Sequence, residues 1–300
     1  MTHLKTSRVL ILRMTPLPRT RSATARGLIV AALVLLSACA GGSESAGPNP
    51  VPPPNTCTTA PPSVAGGYYN AARNRCGAAL LTSVQQIVRG QRLLGYTAAR
   101  DSLYAFIDRG NQPFIVDVYT GRSVPAVTTR ATAASNQINT EHVWPRSRGA
   151  EEDPGLSDLH HLFSSDETAN SQRSNLPFGV VRGTVLWTSA NPPTAGDVSR
   201  LGYASGNSGQ IVFEPRPSKR GDIARALLYF YTRYNTQRPS GFSLTNFAFE
   251  RDLIIAWARE DAPDAYERSR NDLVQRAQGN RNPFIDWPEL LTLIPEFPLN

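Results

Sequence analysis

Lysine is almost missing from this chain. Of its 31 basic residues only Lys5 and Lys219 are lysines, and the rest are arginines. Arginine offers a planar, bidentate donor suited to phosphate, although a biased genomic base composition produces the same preference. A net charge is nearly missing too, once its location is considered. Of the formal +7, six basic residues and none of the 24 acidic ones fall in residues 1–39, so the remainder carries 25 against 24, a net of +1. This excludes an argument for nucleic-acid binding from global charge and leaves only local basic patches. The apolar run Leu28–Leu36 is too short to cross a bilayer, which takes about 20 residues. Histidine is scarce, with four in the chain, and cysteine scarcer, with three. No cysteine lies near the histidines, so any zinc site among them would lack thiolates. There is no internal repeat.

What is present begins with a targeting segment. Residues 1–26 carry Lys5, Arg8, Arg13, Arg19, Arg21 and Arg26 without an acid, then come the apolar run and Ser37-Ala38-Cys39. A basic start, a short apolar stretch and a small-residue end describe a secretory signal, and Met14 to Cys39 is a complete one by itself. Leu36-Ser37-Ala38-Cys39 resembles the lipobox of bacterial lipoproteins, which implies lipidation of Cys39 and a membrane anchor; an ordinary signal peptide is the alternative. The expected location is outside the cytoplasm, either as a membrane-anchored lipoprotein of the periplasm or cell surface or as a secreted protein. Residues 40–65 are mostly Gly, Ser, Pro, Thr and Ala, a composition that buries no core and reads as a tether. In an oxidising compartment Cys57 and Cys76 suggest one disulfide.

Residues 66–300 fall within the size of one domain. Residues 79–89 place Leu80, Leu81, Val84, Ile87 and Val88 on one helical face, and residues 97–108 do the same with Leu103, Tyr104, Phe106 and Ile107. Phe114 to Tyr119 reads as a strand ended by Thr120-Gly121, and residues 185–187 and 211–213 as two more. Residues 222–233, 247–259 and 265–278 read as helices, with Pro239 and Pro263 as breaks. The fold class is α+β, with short strands in the middle and most helix at the two ends.

The histidines His142, His160 and His161 gather between Asn139 and Gly179, beside Glu141, Asp158 and Asn170. Asn139–Val143 is extended in character, residues 158–163 form a second candidate strand, and Ser164 with Glu167 matches a capping box opening a helix that runs to about Ser174. On that helix Asn170 and Arg173 share a face. These residue types suit metal-assisted phosphodiester hydrolysis. A hard divalent cation takes oxygen ligands, and Glu141 with the Asn170 carbonyl supplies two. A neutral imidazole accepts a proton from water at neutral pH. Glu141 and His142 are adjacent, so on a regular strand they point to opposite faces. One site can use both only if the strand twists or the two groups act at different depths.

Asn139-x-Glu-His-Val-Trp-Pro145, Asp158-Leu-His-His-Leu162 and Asn170-x-x-Arg-Ser-Asn175 together resemble the endonuclease I family of exported bacterial nucleases, built on a His-Me (ββα-metal) finger. Tyr68-Tyr-Asn70, Val118-Tyr-Thr-Gly-Arg122, Phe213-Glu-Pro215, residues 220–225 and residues 279–285 extend the resemblance over about residues 67–290. It implies His142 as general base and Glu141 and Asn170 as ligands of one Mg2+, with Mn2+ or Ca2+ as substitutes. It also implies sequence-nonspecific cleavage of DNA, and of RNA in some members, leaving 5′-phosphates, by a monomer. It further implies an Arg on the scissile phosphate. Spacing does not choose among Arg146, Arg148 and Arg173; Arg173 is carried forward as catalytic, with Arg146 and Arg148 binding substrate. Asp158, His160 and His161 are expected to support the finger. Arg220, Arg225 and Arg281 either line a nucleic-acid groove or staple helices. Two other readings stay open: a non-catalytic surface lipoprotein that binds extracellular nucleic acid, and a structural zinc site.

Overall fold

The computed structural model describes residues 59–299. The signal segment 1–39 with Cys39, Cys57 and most of the tether lie outside the described residues. Cys76, which precedes the first helix, is disulfide-bonded.

Helix α5 (Arg220–Tyr234) is the centre of the larger core, and every residue from Gly221 to Tyr234 is buried. An α-helix covered on all sides must be apolar or internally satisfied all round, and its charged members comply, while the buried Thr232 hydroxyl is left without a partner among the described residues. Arg225 is bound by Glu267 and by the carbonyls of Ala258 and Asp261. Around it pack α1 (Gly77–Val88) and α6 (Thr245–Glu260), while α7 (Ala265–Gln278) supplies Glu267. α1 buries Leu80, Leu81, Val84 and Val88, as their spacing predicts. Arg220 pairs with Glu214, and Arg281 with Asp272 and Asp286. Thus Arg220, Arg225 and Arg281 are staples of the fold, and the groove reading for them is set aside.

A second core lies under α2 (Tyr96–Ser102) and the π-type turn Leu103–Ile107 that continues it. The wider turn is closed by Asp108 N–H on the Leu103 carbonyl at 3.0 Å. Leu103, Tyr104 and Ile107 are buried, while Phe106 faces outward, 36% exposed, against the regular-helix expectation.

Among the described residues the strands form three small antiparallel sheets. β1 (Phe114–Val116) pairs with β2 (Ser123–Pro125). β1 is shorter than the sequence suggests because the Asp117 carboxylate collects the N–H groups of Tyr119, Thr120 and Arg122 and turns the chain. The short helix α3 (Arg130–Ser135), capped reciprocally by Thr129 and Thr132, follows. β3 (Ile138–His142) then pairs with β4 (Leu162–Asp166), placing Glu141 opposite Phe163 and His142 opposite Leu162. α4 (Glu167–Arg173) leaves directly from β4. β5 (Val185–Thr188), β6 (Arg200–Tyr203) and β7 (Ile211–Glu214) complete a three-stranded meander.

The β3–β4–α4 unit is the expected finger with two corrections. The second strand starts at Leu162, not Asp158, because Asp158 closes a turn through its own side chain and carbonyl on the His160 and His161 N–H groups. The helix is capped by Asp166, not Ser164. Ser164 is still paired in the strand, whereas the Asp166 carboxylate accepts from Thr168 and Ala169 N–H. Ile138 and Leu162 of this hairpin belong to the second core, while Val143, Trp144, Phe163 and Ala169 belong to the first.

Candidate active site

β3 sends Glu141 and His142 to opposite sides, as adjacent strand residues must go. Glu141 turns toward Tyr119 and Arg173: its Oε1 accepts the Tyr119 hydroxyl at 2.7 Å and lies 3.3 Å from Arg173 Nη1. His142 turns toward Tyr96 and His161, with ring centroids at 5.5 and 5.4 Å. Both nonetheless line one cleft of about 370 Å3 around the end of the strand, with Thr140, Arg146, Asn170 and Arg173 among its walls. The termination of β3 at His142, just before Pro145, lets one opening reach both faces.

Protonation follows from the packing. His142 Nε2 lies 3.1 Å from the Leu156 carbonyl, which can only accept, so Nε2 carries the proton and Nδ1 is left as the basic nitrogen. Burial, then the neighbouring His161, hold its pKa well below 6.5, so the ring is neutral at pH 7. Burial also pushes the Glu141 carboxyl up, against the pull of Arg173, Tyr119 and the His142 backbone. Asn170 donates its amide nitrogen to Asn139 Oδ1 at 2.7 Å and leans on the Thr140 carbonyl at 3.4 Å. This fixes which end of the amide is spent and leaves the oxygen for another partner.

The other candidates separate clearly. Arg146 is half exposed at the cleft wall and paired with Glu151 at 2.5 Å. Arg148 is not in this cleft. It lies with Trp144, Phe247 and Glu250, and its backbone carbonyl accepts from the Trp144 indole and Ser243 N–H. Gly149 (φ 111°) holds this loop down: a Cβ there would sit 2.6 Å from Phe242 Cα. Arg173 is 1% exposed and donates to the carbonyls of His142, Val143 and Ser174. Its guanidinium also covers the Phe178 ring at 4.7 Å.

Asp158, His160 and His161 sit behind the hairpin. Asp158 accepts from the Tyr229 and Tyr234 hydroxyls, Gln278 and the His160 N–H. Burial alone would raise its carboxyl, but His160, His161 and these hydrogen bonds hold it below the usual carboxylate range. His160 Nε2 donates to the Asn280 carbonyl and His161 Nε2 to the Gly155 carbonyl, and burial pushes both pKa values down to about 4. With those nitrogens spent on separate carbonyls, the two rings do not converge on a common point, and the zinc reading loses its basis.

Two residues that position the candidates carried no assigned role in the sequence. Tyr119 lies inside Val118-Tyr-Thr-Gly-Arg122, but nothing local connects it to Glu141. Asn139 precedes Glu141 by two, and that period places it on the Glu141 face of the strand, where it meets Asn170.

The model of the Endonuclease I family matches residues 76–289. The chain is 28% identical over 236 residues to an extracellular ribonuclease of Bacillus subtilis (strain 168), covering 74% of this chain and 76% of that one. It is 30% identical over 170 residues to an extracellular deoxyribonuclease of Aeromonas hydrophila, covering 51% and 67%. A periplasmic deoxyribonuclease of the same organism is 33% identical over 129 residues, 43% and 47% of the two chains. With its family match spanning well over half its length and including the whole β3–β4–α4 unit, the chain belongs to the endonuclease I family.

Proposed function

We propose that the protein is an exported, metal-dependent, sequence-nonspecific endonuclease that hydrolyses phosphodiester bonds of DNA and RNA, leaving 5′-phosphates. The observation that carries this reading is the common cleft shared by a neutral His142 with Nδ1 available, the Glu141 carboxylate and the Asn170 amide. Both kinds of substrate are included because relatives of similar closeness are named for each: ribonucleases in two Bacillus species and deoxyribonucleases in Aeromonas.

The donor set fits a hard divalent cation. Tyr119 and Arg173 both engage Glu141 Oε1, leaving Oε2, and Asn170 has spent its nitrogen and kept its oxygen. Two oxygen ligands leave positions for water and phosphate, the pattern of Mg2+, with Mn2+ or Ca2+ as substitutes. A cation bound there supplies charge stabilisation for the scissile phosphate and the leaving oxygen.

The chain's own groups do the rest. His142 Nδ1 takes the proton of the attacking water, and the Leu156 carbonyl keeps the ring in the tautomer that can do so. Arg173 lines the cleft, but its terminal nitrogens are spent on Glu141 and three carbonyls, which gives it a positioning role. It holds Glu141 and, through the carbonyls of His142 and Val143, the end of β3. Arg146 is the cleft arginine able to reach phosphate, since an exposed pair such as Arg146–Glu151 is worth only about 0–1 kcal/mol and opens readily.

Removing the base tests the mechanism. His142→Ala should lower plasmid and RNA cleavage by about 10²–10⁴-fold, while EDTA stops the wild type and Mg2+ binding by the variant survives. Cleavage unchanged in the variant would remove His142 from this role. The domain division at residues 39 and 65 and the lipid anchor are part of the same proposal. Cys39→Ala should move the protein from the membrane fraction to the soluble one, and an unaltered distribution would refute the anchor.

A further inference from the structure

We propose that Arg100 binds a backbone phosphate flanking the scissile one, and that Tyr96 is the platform that fixes Arg100 and the His142 ring together. The inference rests on the nuclease reading above and adds a contact beside Thr140, which is a wall of the cleft.

Thr140 and His142 are two apart on β3, so they share a face and lie about 7 Å apart along the strand. That face looks toward α2. Arg100 Nε donates to Thr140 Oγ1 at 3.2 Å, and the buried Tyr104 hydroxyl shares a 2.7 Å hydrogen bond with the same oxygen. Thr140 is itself a wall of the cleft. The Arg100 guanidinium lies 5.3 Å from the Tyr96 ring centroid, and the Tyr96 ring is 5.5 Å from that of His142. Arg100 is thus held at its Nε by Thr140, by the Tyr104 hydroxyl and over the Tyr96 ring. A guanidinium fixed in this way loses little freedom on meeting a phosphate oxygen.

Among the arginines near β3, charge accounting leaves Arg100 and Arg148 without an ion pair, and Arg148 lies in the separate pocket beside Glu250. Arg146 is paired with Glu151, Arg173 with Glu141, and Arg122 with Asp166. The neighbouring carboxylates are also taken, Asp101 by Arg130 and Asp108 by Arg270. Among the described residues Arg100 has no carboxylate within 4.0 Å. A half-buried cation without a counter-ion, beside a cleft whose substrate is a polyanion, is an electrostatic seat for phosphate.

The test compares the full exported protein with its Arg100→Gln variant, using Arg130→Gln as the control for loss of an exposed arginine. A labelled duplex DNA oligonucleotide is cleaved with Mg2+ across a salt series, and its binding is followed by anisotropy in the same series. Arg100→Gln should raise KM about tenfold with kcat little changed, and make the slope of log affinity against log salt shallower by about 0.9. Arg130→Gln should do neither. A wild-type KM and salt slope in Arg100→Gln, or a loss confined to thermal stability, would make Arg100 a brace for Thr140 and end the proposal. If Arg100→Gln does not fold, Arg100→Met, which keeps the stem over Tyr96, is read by the same two criteria. If the wild type cuts nothing, the nuclease reading fails, while the anisotropy slopes still decide whether Arg100 holds a phosphate.

Discussion

Asp158 and Glu141 are both buried carboxylates beside the same hairpin, 0% and 2% exposed, and the fold treats them in opposite ways. Asp158 is surrounded by four donors spread over both oxygens, and its carboxyl is held down as a settled anion. Glu141 has its donors crowded on one oxygen, and burial pushes its carboxyl up. The difference separates an acid the fold consumes from an acid the fold keeps in reserve. A buried anion with every lone pair answered has nothing to offer a ligand. One answered on a single side is costly for the apo protein, and that cost is what a cation relieves.

The sharpest way to break this comparison is to neutralise each acid in turn. Glu141→Gln keeps the shape and loses the charge, so cleavage should fall by about 10²–10³-fold while the urea midpoint hardly moves. A variant that unfolds easily but cuts well would reverse the assignment. Asp158→Asn should do the converse, costing about 3 kcal/mol of stability because buried hydroxyl donors lose an ionised partner. Its activity per folded molecule at saturating Mg2+ should stay near wild type, and a large loss of kcat without loss of stability would count against the structural role.

A third carboxylate extends the series. Glu250 is buried beneath Arg148 and Arg173, accepts the Phe178 N–H, and is pushed up to about 7 by burial. Its pKa in the unfolded chain is near 4.5, so folding takes up a proton between those values. The residue therefore destabilises the fold above about pH 7, and the cost disappears as pH falls toward 4.5. Glu250→Gln should be more stable than the wild type by about 2 kcal/mol at pH 8, with the gap closing at acid pH. Melting curves at several pH values measure this, and a pH-independent gap would contradict it.

The sequence disclosed much of the helical frame, because α1 carries its apolar residues at helical spacing and the later helices lie between breaks at Pro239 and Pro263. It disclosed β3 and the residues at its end for a different reason: few polar residue types can do this chemistry, and they lie close together. It misjudged β4 by four residues, since Asp158-Leu-His-His-Leu162 has strand-like content but Asp158 spends its side chain on closing a turn. It passed over α3, whose six residues show no apolar periodicity and whose cap uses Thr132 where Glu or Gln is the usual signal. The arginines were the least legible. Arg146, Arg148 and Arg173 lie within thirty residues and look alike on paper, yet they end half exposed at the cleft wall, in a separate pocket and buried in the cleft lining. Their destinations depend on Glu151, Glu250 and Glu141, and Glu250 is reached only through the fold.

The hairpin's position between two cores has a consequence for how the pair at its end is held. Glu141 is set by Tyr119 and Arg173, which pack with the α5 core through Phe213 and Phe178, whereas His142 faces Tyr96 on the helix that covers the other core. His142 also packs on His161, which rests on Phe230 of the first core, so the histidine is held from both sides. The pair is therefore set by packing from both cores rather than by the hairpin alone.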